Sequence, residues 1–366
     1  MNKIKKKERA WVEIKLDNIK HNYFELKKLT DMNIIAVLKA DAYGHGAYQV
    51  GKTLFDLGVK HFAVATIEEA LELKNIGADV LILGFTPGDK LELVIKNNFE
   101  QSVFDFNTAV KISSIAQKLN LKAKVHIKID TGMHRLGFSA TQKTIDVIKK
   151  INNLPNIVIK GIFSHFAQSD IPNDKFTLEQ YQKFSFITHA FKNLNLINHI
   201  SNSAAIVNYP EFECDFVRAG LFFYGLLYFT NGKINLMPAL ELKSQIVDIK
   251  KIKAHESVSY NRSFFADKNT KIGIVSIGYA DGYPRSASNR TSVVVNGKLA
   301  PVVGSVCMDY LMINLNNIDA KVGSEVILIG SGNGLSVSAE DLAKINNTIS
   351  YEVITSIGKR IPRYYI

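Results

Sequence analysis

The sequence predicts an α/β fold: a (β/α)8 barrel of the TIM type, followed by a predominantly β second domain. Three observations carry this. Eight apolar runs of strand length recur through the first two-thirds of the 366 residues, most of them separated by segments of helical period. Five of these runs end in polar, chemistry-bearing residues, at the end of the strand where barrel enzymes keep their catalytic groups. Beyond about residue 235 the texture changes to short β runs broken by turn signals. A doubly wound open sheet is the competing fold. No GxGxxG motif follows the first strand, which weakens a dinucleotide-binding reading.

The elements follow in order. Behind a basic tail, Trp11-Val12-Glu13-Ile14 alternates as a strand does, and residues 16–29 have helical spacing. The eight strand runs fall at 34–39, 62–66, 80–85, 102–104, 124–130, 157–165, 199–202 and 216–224. Helix-period segments lie at 67–76, 107–119, 142–151 and 178–194. Asn231-Gly232 marks the passage to the second domain. The barrel is therefore placed at 11–234 and the β-rich domain at 235–366, with the strand at 11–14 a candidate member of the latter. There, β runs are expected at 242–253, 271–277, 292–295, 301–306, 310–315 and 325–329. Asn296-Gly297 between two of them is a hairpin mark. Ser338, with Asp341 three residues on, opens a helix with a capping-box pattern.

Composition sets bounds on function. Lys and Arg outnumber Asp and Glu 45 to 34, a net charge of +11. Outside the N-terminal tail the cations are scattered along helices rather than grouped, so the charge reads as solvated surface with a mild pull on anionic ligands, not as a nucleic-acid footprint. Two cysteines, Cys214 and Cys307, make no disulfide framework. The residues after the basic tail carry charge and form no signal-peptide core. No uncharged apolar run reaches membrane-spanning length. A cytoplasmic protein is expected, with no membrane or nucleic-acid partner and no metal.

The strand ends carry the chemistry. The first run ends at Lys39 in KADAYGHG, with Tyr43 in the loop that follows. A lysine at the mouth of a buried strand is partly desolvated, which lowers its pKa and makes the nucleophilic free amine accessible. The fifth ends in Lys128 and runs through Asp130-Thr131-Gly132 to Arg135; the sixth ends at His165; the seventh ends at Asn202-Ser203; the eighth carries Arg218, with Gly220 and Leu221 beyond. Each has an ordinary reading alone: a snorkelling lysine, a turn, a core histidine, a helix N-cap, an ion-pair partner. Their alignment at one barrel face argues for a site. Barrel phosphate sites form from the loops after strands seven and eight, and Ser203, with the amides of Gly220 and Leu221, falls there.

These stretches, with FSHFAQSD, SNSAA and VRAG, and then VSYN, IGYADGYPR, SVCMDY and SYEVITSIGKRIPR, resemble the alanine racemase family in order and spacing from Trp11 to Arg363. Departures are His134 where a glycine is common and Phe222-Phe223 where smaller residues are common. The resemblance implies interconversion of L- and D-alanine, supplying D-alanine for peptidoglycan, by a head-to-tail homodimer with pyridoxal 5'-phosphate as cofactor. It implies that Lys39 carries the cofactor and serves as one base, while Tyr260 from the partner subunit serves as the other. By the same resemblance Arg218 faces the pyridine nitrogen, and Tyr43, His165, Asn202, Ser203, Gly220, Leu221 and Tyr351 bind the cofactor. Arg135, Met308 and Asp309 bind the substrate, Lys128 is carbamylated, Cys307 is structural, and Tyr279, Asp281 and Arg285 build an access channel. The alternatives are a broader amino-acid racemase on the same scaffold, a decarboxylase, which would want a carboxylate where Arg218 stands, and a cofactor-binding protein made of the barrel alone.

Overall fold

Eight parallel strands, all but the short Ile197–His199 buried along most of their length, build the first unit of the protein. The computed structural model describes residues 8–212, 214–227 and 234–366, so the Asn231-Gly232 boundary lies outside the described residues, as does the tail through residue 7. Contacts divide the chain into two units: residues 19–42 with 46–237, and the residues through Asn18 with Tyr43–His45 and Pro238–Ile366.

Strand β1 (Ala10–Ile14) belongs to the second of these. The first is built from β2 (Asn33–Val37), β3 (His61–Val64), β4 (Asp79–Ile82), β5 (Glu100–Val103), β6 (Ala123–Asp130), a two-residue β7 (Phe138–Ser139) beside β6, β8 (Ile157–Phe163), β9 (Ile197–His199) and β10 (Phe216–Ala219). The parallel order is β10-β2-β3-β4-β5-β6-β8-β9. Between β9 and β10 the ring is drawn together by Asp215 N–H donating to Asn198 O at 3.0 Å and Arg218 N–H to Ser201 O at 2.9 Å. The expected barrel of eight strands is found.

Strand β6 shows how sequence sorts the layers. Its side chains alternate, as in any strand. Val125, Ile127 and Ile129 pack, with Ile112 and Ala116 of helix Phe106–Leu119 and with Ile145 and Ile148 of helix Gln142–Asn152, into one apolar cluster. Burying each such side chain contributes about 1.5–3 kcal/mol. The alternate residues, His126 and Lys128, belong to the opposite, inner face. Helix starts are capped: Thr66 forms a capping box with Glu69, and Asp105 and Asp174 accept from backbone N–H groups three residues on. Two helices without a clear sequence signal, Ala47–Asp56 and Leu91–Lys96, complete the repeat.

In the second unit β1 pairs antiparallel with β11 (Leu240–Ile252), Ala10 opposite Ser244, and parallel with the C-terminal strand Arg363–Tyr365. The N-terminal strand thus lies in the β-rich sheet. β11 is bulged at Leu242/Lys243 and at Ile246/Asp248, and these irregularities let one strand serve several neighbours in turn. The hairpin at Asn296-Gly297 is present with both residues at positive φ, 48° and 74°. Ser338 caps helix Ala339–Asn346 through Asp341. The strand expected at 301–306 is absent: the ladder ends at Pro301, and Gly304 turns left-handed (φ 77°) against Val258 and Ser259. No helix among the described residues is long and apolar enough to cross a membrane.

Candidate active site

The loop after β2 departs most from expectation. The strand ends at Val37, not at Lys39, and Ala40, Asp41, Ala42 and Tyr43 all have φ between 51° and 55°. Ala42 N–H donates to Leu38 O at 2.8 Å, so this is one turn of left-handed helix, closed by Gly44 (φ 80°). L-residues reach this conformation at roughly 1–2 kcal/mol each. Lys39 begins the turn, half-buried. Burial first, then the charges of Arg135 and Arg218, pull its ammonium below the usual lysine range, with Glu69 opposing. A lowered pKa makes the uncharged amine easier to reach.

Lys128, on the inner face of β6, lies 4.4 Å above the Phe163 ring. Burial, Arg218 and Arg135 hold it well below its ordinary pKa, against the weaker pull of Asp130. Asp130-Thr131-Gly132 is a side-chain-closed turn: Asp130 Oδ1 accepts from Gly132 N–H at 2.9 Å and His134 N–H at 3.1 Å. Gly137, which leaves no room for a Cβ within 2.4 Å of Asp130 N, lets the chain recross β6. Arg135 stands exposed in this loop.

Arg218 is the best-anchored group of the site. It is 4% exposed. Its Nη1 donates to His199 Nδ1 and His199 O, both at 2.8 Å; its Nη2 donates to Ser164 O (2.7 Å), His165 Nδ1 (3.0 Å) and Ile200 O (3.0 Å). Its Nε–H has no acceptor among the described residues. Burial draws its pKa down to about 10, which leaves it cationic at neutral pH. Burial and then Arg218 keep the His165 and His199 rings well below the normal histidine range, hence neutral. Asn202 caps the short helix Ser203–Asn208 through Ala204 and Ala205 N–H. The Gly220 amide, expected to face a phosphate, donates to Ser203 Oγ at 3.0 Å. Leu221 opens the next turn, buried.

The remaining residues fall in the β-rich unit. The Tyr43 and Tyr351 rings lie 5.9 Å apart, and Arg363 Nε donates to Gly44 O. Tyr260, 69% exposed, sits between Ser259 and Asn261, both at positive φ, with its carbonyl accepting from Ser305 Oγ at 3.1 Å. It borders a hollow of about 460 Å³ lined also by Val258, Ile272, Ile274, Cys307 and Met312. Gly278 passes so close to the carbonyls of Cys307 and Met308 that a Cβ would lie 2.3 and 2.4 Å from their oxygens. Tyr279 and Ala280 N–H donate to those same carbonyls, so the IGYADGYPR and SVCMDY stretches are sewn together. Met308, Tyr279 and Arg285 are exposed. Asp281, expected with Tyr279 and Arg285 to build an access channel, lies in the β-rich unit. It is fully buried, its oxygens held by Arg9, Arg360 and Gly278 N–H, while Arg360 also reaches Asp309 at 2.7 Å.

Sequence reasoning missed Glu100, His126 and His199, which line the barrel interior below Arg218, and Arg9 and Arg360, which neutralise Asp281. A carboxylate and two imidazoles inside short apolar strands were the available signal.

Family models for the alanine racemase N-terminal and C-terminal domains match residues 14–228 and 239–365. The chain is 43% identical to an alanine racemase of Clostridium novyi, over 98% of this chain and 95% of that one. It is 42% identical to alanine racemase 1 of Clostridium acetobutylicum, at 98% and 95% coverage. Among solved structures, an alanine racemase of Clostridium difficile 630 superposes with a TM-score of 0.93 at 39% identity, covering 98% of this chain and 96% of that one. One from Bartonella henselae with covalently bound pyridoxal phosphate gives 0.88 at 30%, covering 98% and 100%.

Proposed function

The chain belongs to the alanine racemase family and interconverts L- and D-alanine; from that premise we propose how its residues divide the work. The cofactor is pyridoxal 5'-phosphate, and the residues present fit it. Lys39 supplies an amine with a lowered pKa. Arg218 keeps one donor, Nε–H, without an acceptor among the described residues, suited to a ring nitrogen. When bound, the cofactor supplies an electron sink for the Cα carbanion.

Lys39 Nζ removes or returns the Cα proton on one face. Tyr260, entering from a second copy of the chain, does so on the other, because a single base tends to return the proton where it came from. Arg218 never yields its own proton, so it holds the ring nitrogen as an acceptor and keeps the sink weak. Arg135 orients the substrate carboxylate, with the Met308 amide and Asp309 from the second copy. A carbamate on Lys128 would set an anion among the charges of Arg135 and Arg218, and the free amine that reacts with carbon dioxide is the form its burial favours. Asn202, Ser203 and Leu221 hold the phosphate end, with the Gly220 amide on the Ser203 hydroxyl; Tyr43 and Tyr351 are the cofactor-binding residues of the β-rich unit. Tyr279 and Arg285 flank the approach, with Asp281 tying Arg9 and Arg360 behind them. The head-to-tail homodimer, the cytoplasmic setting and the supply of D-alanine to peptidoglycan belong to the same reading.

The observation that carries it is the half-buried Lys39 amine with Arg135 and Arg218 as its electrostatic neighbours. The test is purified protein with L-alanine in heavy water. Deuterium at Cα together with D-alanine is expected, and both are lost in Lys39→Ala. A colourless protein that stays colourless with added cofactor, or a Lys39→Ala variant as fast as its parent, would refute it.

A further inference from the structure

Barrel interiors are ordinarily filled by branched apolar side chains. Here a line of four polar ones runs from the start of β5 to β10, and it has a direction. Glu100 Oε2 lies 2.9 Å from His126 Nε2, His126 Nδ1 lies 3.0 Å from His199 Nε2, and His199 Nδ1 lies 2.8 Å from Arg218 Nη1. None of the four is more than 4% exposed.

The proton positions follow from donor chemistry. A guanidinium only donates, so His199 Nδ1 must accept, and the proton of this neutral ring sits on Nε2. That proton points at His126 Nδ1, which must accept in turn, so the His126 proton sits on Nε2. It points at Glu100, and a carboxylate closes the line as an acceptor. Reversing either ring would set two N–H groups face to face at the next junction.

Packing fixes the rings but not their protons. Phe163 stacks on His199 with centroids 4.9 Å apart and planes at 6°. Gly161 leaves the space His126 occupies, since a Cβ there would lie 2.7 Å from Nδ1. Glu100 itself has an Oε1 with no hydrogen-bond partner among the described residues. A buried carboxylate holding one strong hydrogen bond is a poor packing element. Burial pushes its carboxyl up, but the hydrogen bond and charge of His126, with His61 and Lys124, together hold it below the usual carboxylate range.

We propose that Glu100 is a positioning residue for Arg218: through His126 and His199 it selects the Nε2–H tautomer in both rings and so guarantees the acceptor that anchors Nη1. The inference rests on the reading of Arg218 as donor to the cofactor's ring nitrogen. With the His199 lone pair lost, Nη1 meets an N–H, the guanidinium rotates, and Nε–H leaves its bearing.

The test uses the full-length holoenzyme labelled with 15N-histidine. In the parent, both rings are expected to be neutral and protonated only at Nε2. Glu100→Gln keeps an acceptor and retains that pattern, with kcat within about twofold of the parent. Glu100→Met, of similar volume but without an acceptor, mixes the tautomers and shifts the absorption band of the bound cofactor. It lowers kcat roughly tenfold, a size typical of outer-layer partners, while KM for alanine stays within about twofold. A Nδ1–H on either ring of the parent overturns the proposal, as does a Glu100→Met protein with parental ring shifts and kcat. So does Glu100→Gln falling as far as Glu100→Met. Should the methionine variant fail to fold, the parental tautomers and the glutamine variant decide. Ring tautomers are also read without cofactor, so a parent lacking a cofactor band sinks the functional reading separately.

Discussion

Replacing Arg218 with lysine keeps the charge and removes the fork. Arg218 spreads its four terminal N–H bonds over five buried acceptors: His199 Nδ1, His199 O, Ser164 O, His165 Nδ1 and Ile200 O. An ammonium has three donors, so at least two of these acceptors lose their partner. Each buried acceptor left unmade costs about 1–3 kcal/mol, giving about 2–6 kcal/mol for Arg218→Lys. At about 2–4 °C per kcal/mol for a unit of this size, the barrel should melt at least about 4 °C earlier. The assay is scanning calorimetry without cofactor, so that lost ligand binding does not inflate the shift. Arg135→Lys, at an exposed position, is the control and should stay within about 0.5 kcal/mol. An Arg218→Lys protein melting with its parent would refute the claim that these acceptors depend on the guanidinium.

Gly278→Ala should destabilise the β-rich unit by about 1–3 kcal/mol, because its Cβ meets two backbone oxygens rather than a flexible side chain. An unchanged denaturation midpoint for that unit would contradict it. His199 has a folded-state pKa well below its unfolded value near 6.5. The unfolded chain therefore binds the extra proton, and stability falls as pH drops below about 6.5, by about 1.4 kcal/mol per pH unit for this ring. Urea unfolding between neutral and mildly acid pH should show this slope, shallower in His199→Gln; equal slopes would count against a neutral buried ring. Gently prepared protein should carry the mass of one added carbon dioxide, absent from Lys128→Ala. A parent mass without it means that Lys128 is not modified.

Much of the fold was legible because both periods are strong where they matter: helix Gln142–Asn152 buries Ile145 and Ile148 on one face, and β6 alternates along its length. The strand ends pointed to Lys39, Arg135, His165 and Arg218 because barrel topology gathers such ends on one face. Less was legible where a local rule was overridden. KADAYGHG reads as a strand end and a glycine turn, since nothing in the propensities of alanine or aspartate announces four successive left-handed residues. Residues 301–306 read as a strand, and one glycine at positive φ cut it short. The burial of Asp281 was not legible because its two arginines, Arg9 and Arg360, lie far away in sequence. Glu100, His126 and His199 were passed over because sequence gives the alternation of a strand but not which inner-face residues of different strands meet.

The left-handed turn has a consequence for the far end of the chain. Four residues at roughly 1–2 kcal/mol each make this segment a loaded spring. Its catch is the close seat of Gly44 beneath Ile354, with Arg363, whose guanidinium also binds the carbonyls of Ile357, Gly358 and Ile361. Trimming the last few residues would release that catch and let the lysine-bearing segment relax toward right-handed geometry, so that damage at the C-terminus would be felt first as a misdirected amine near the N-terminus.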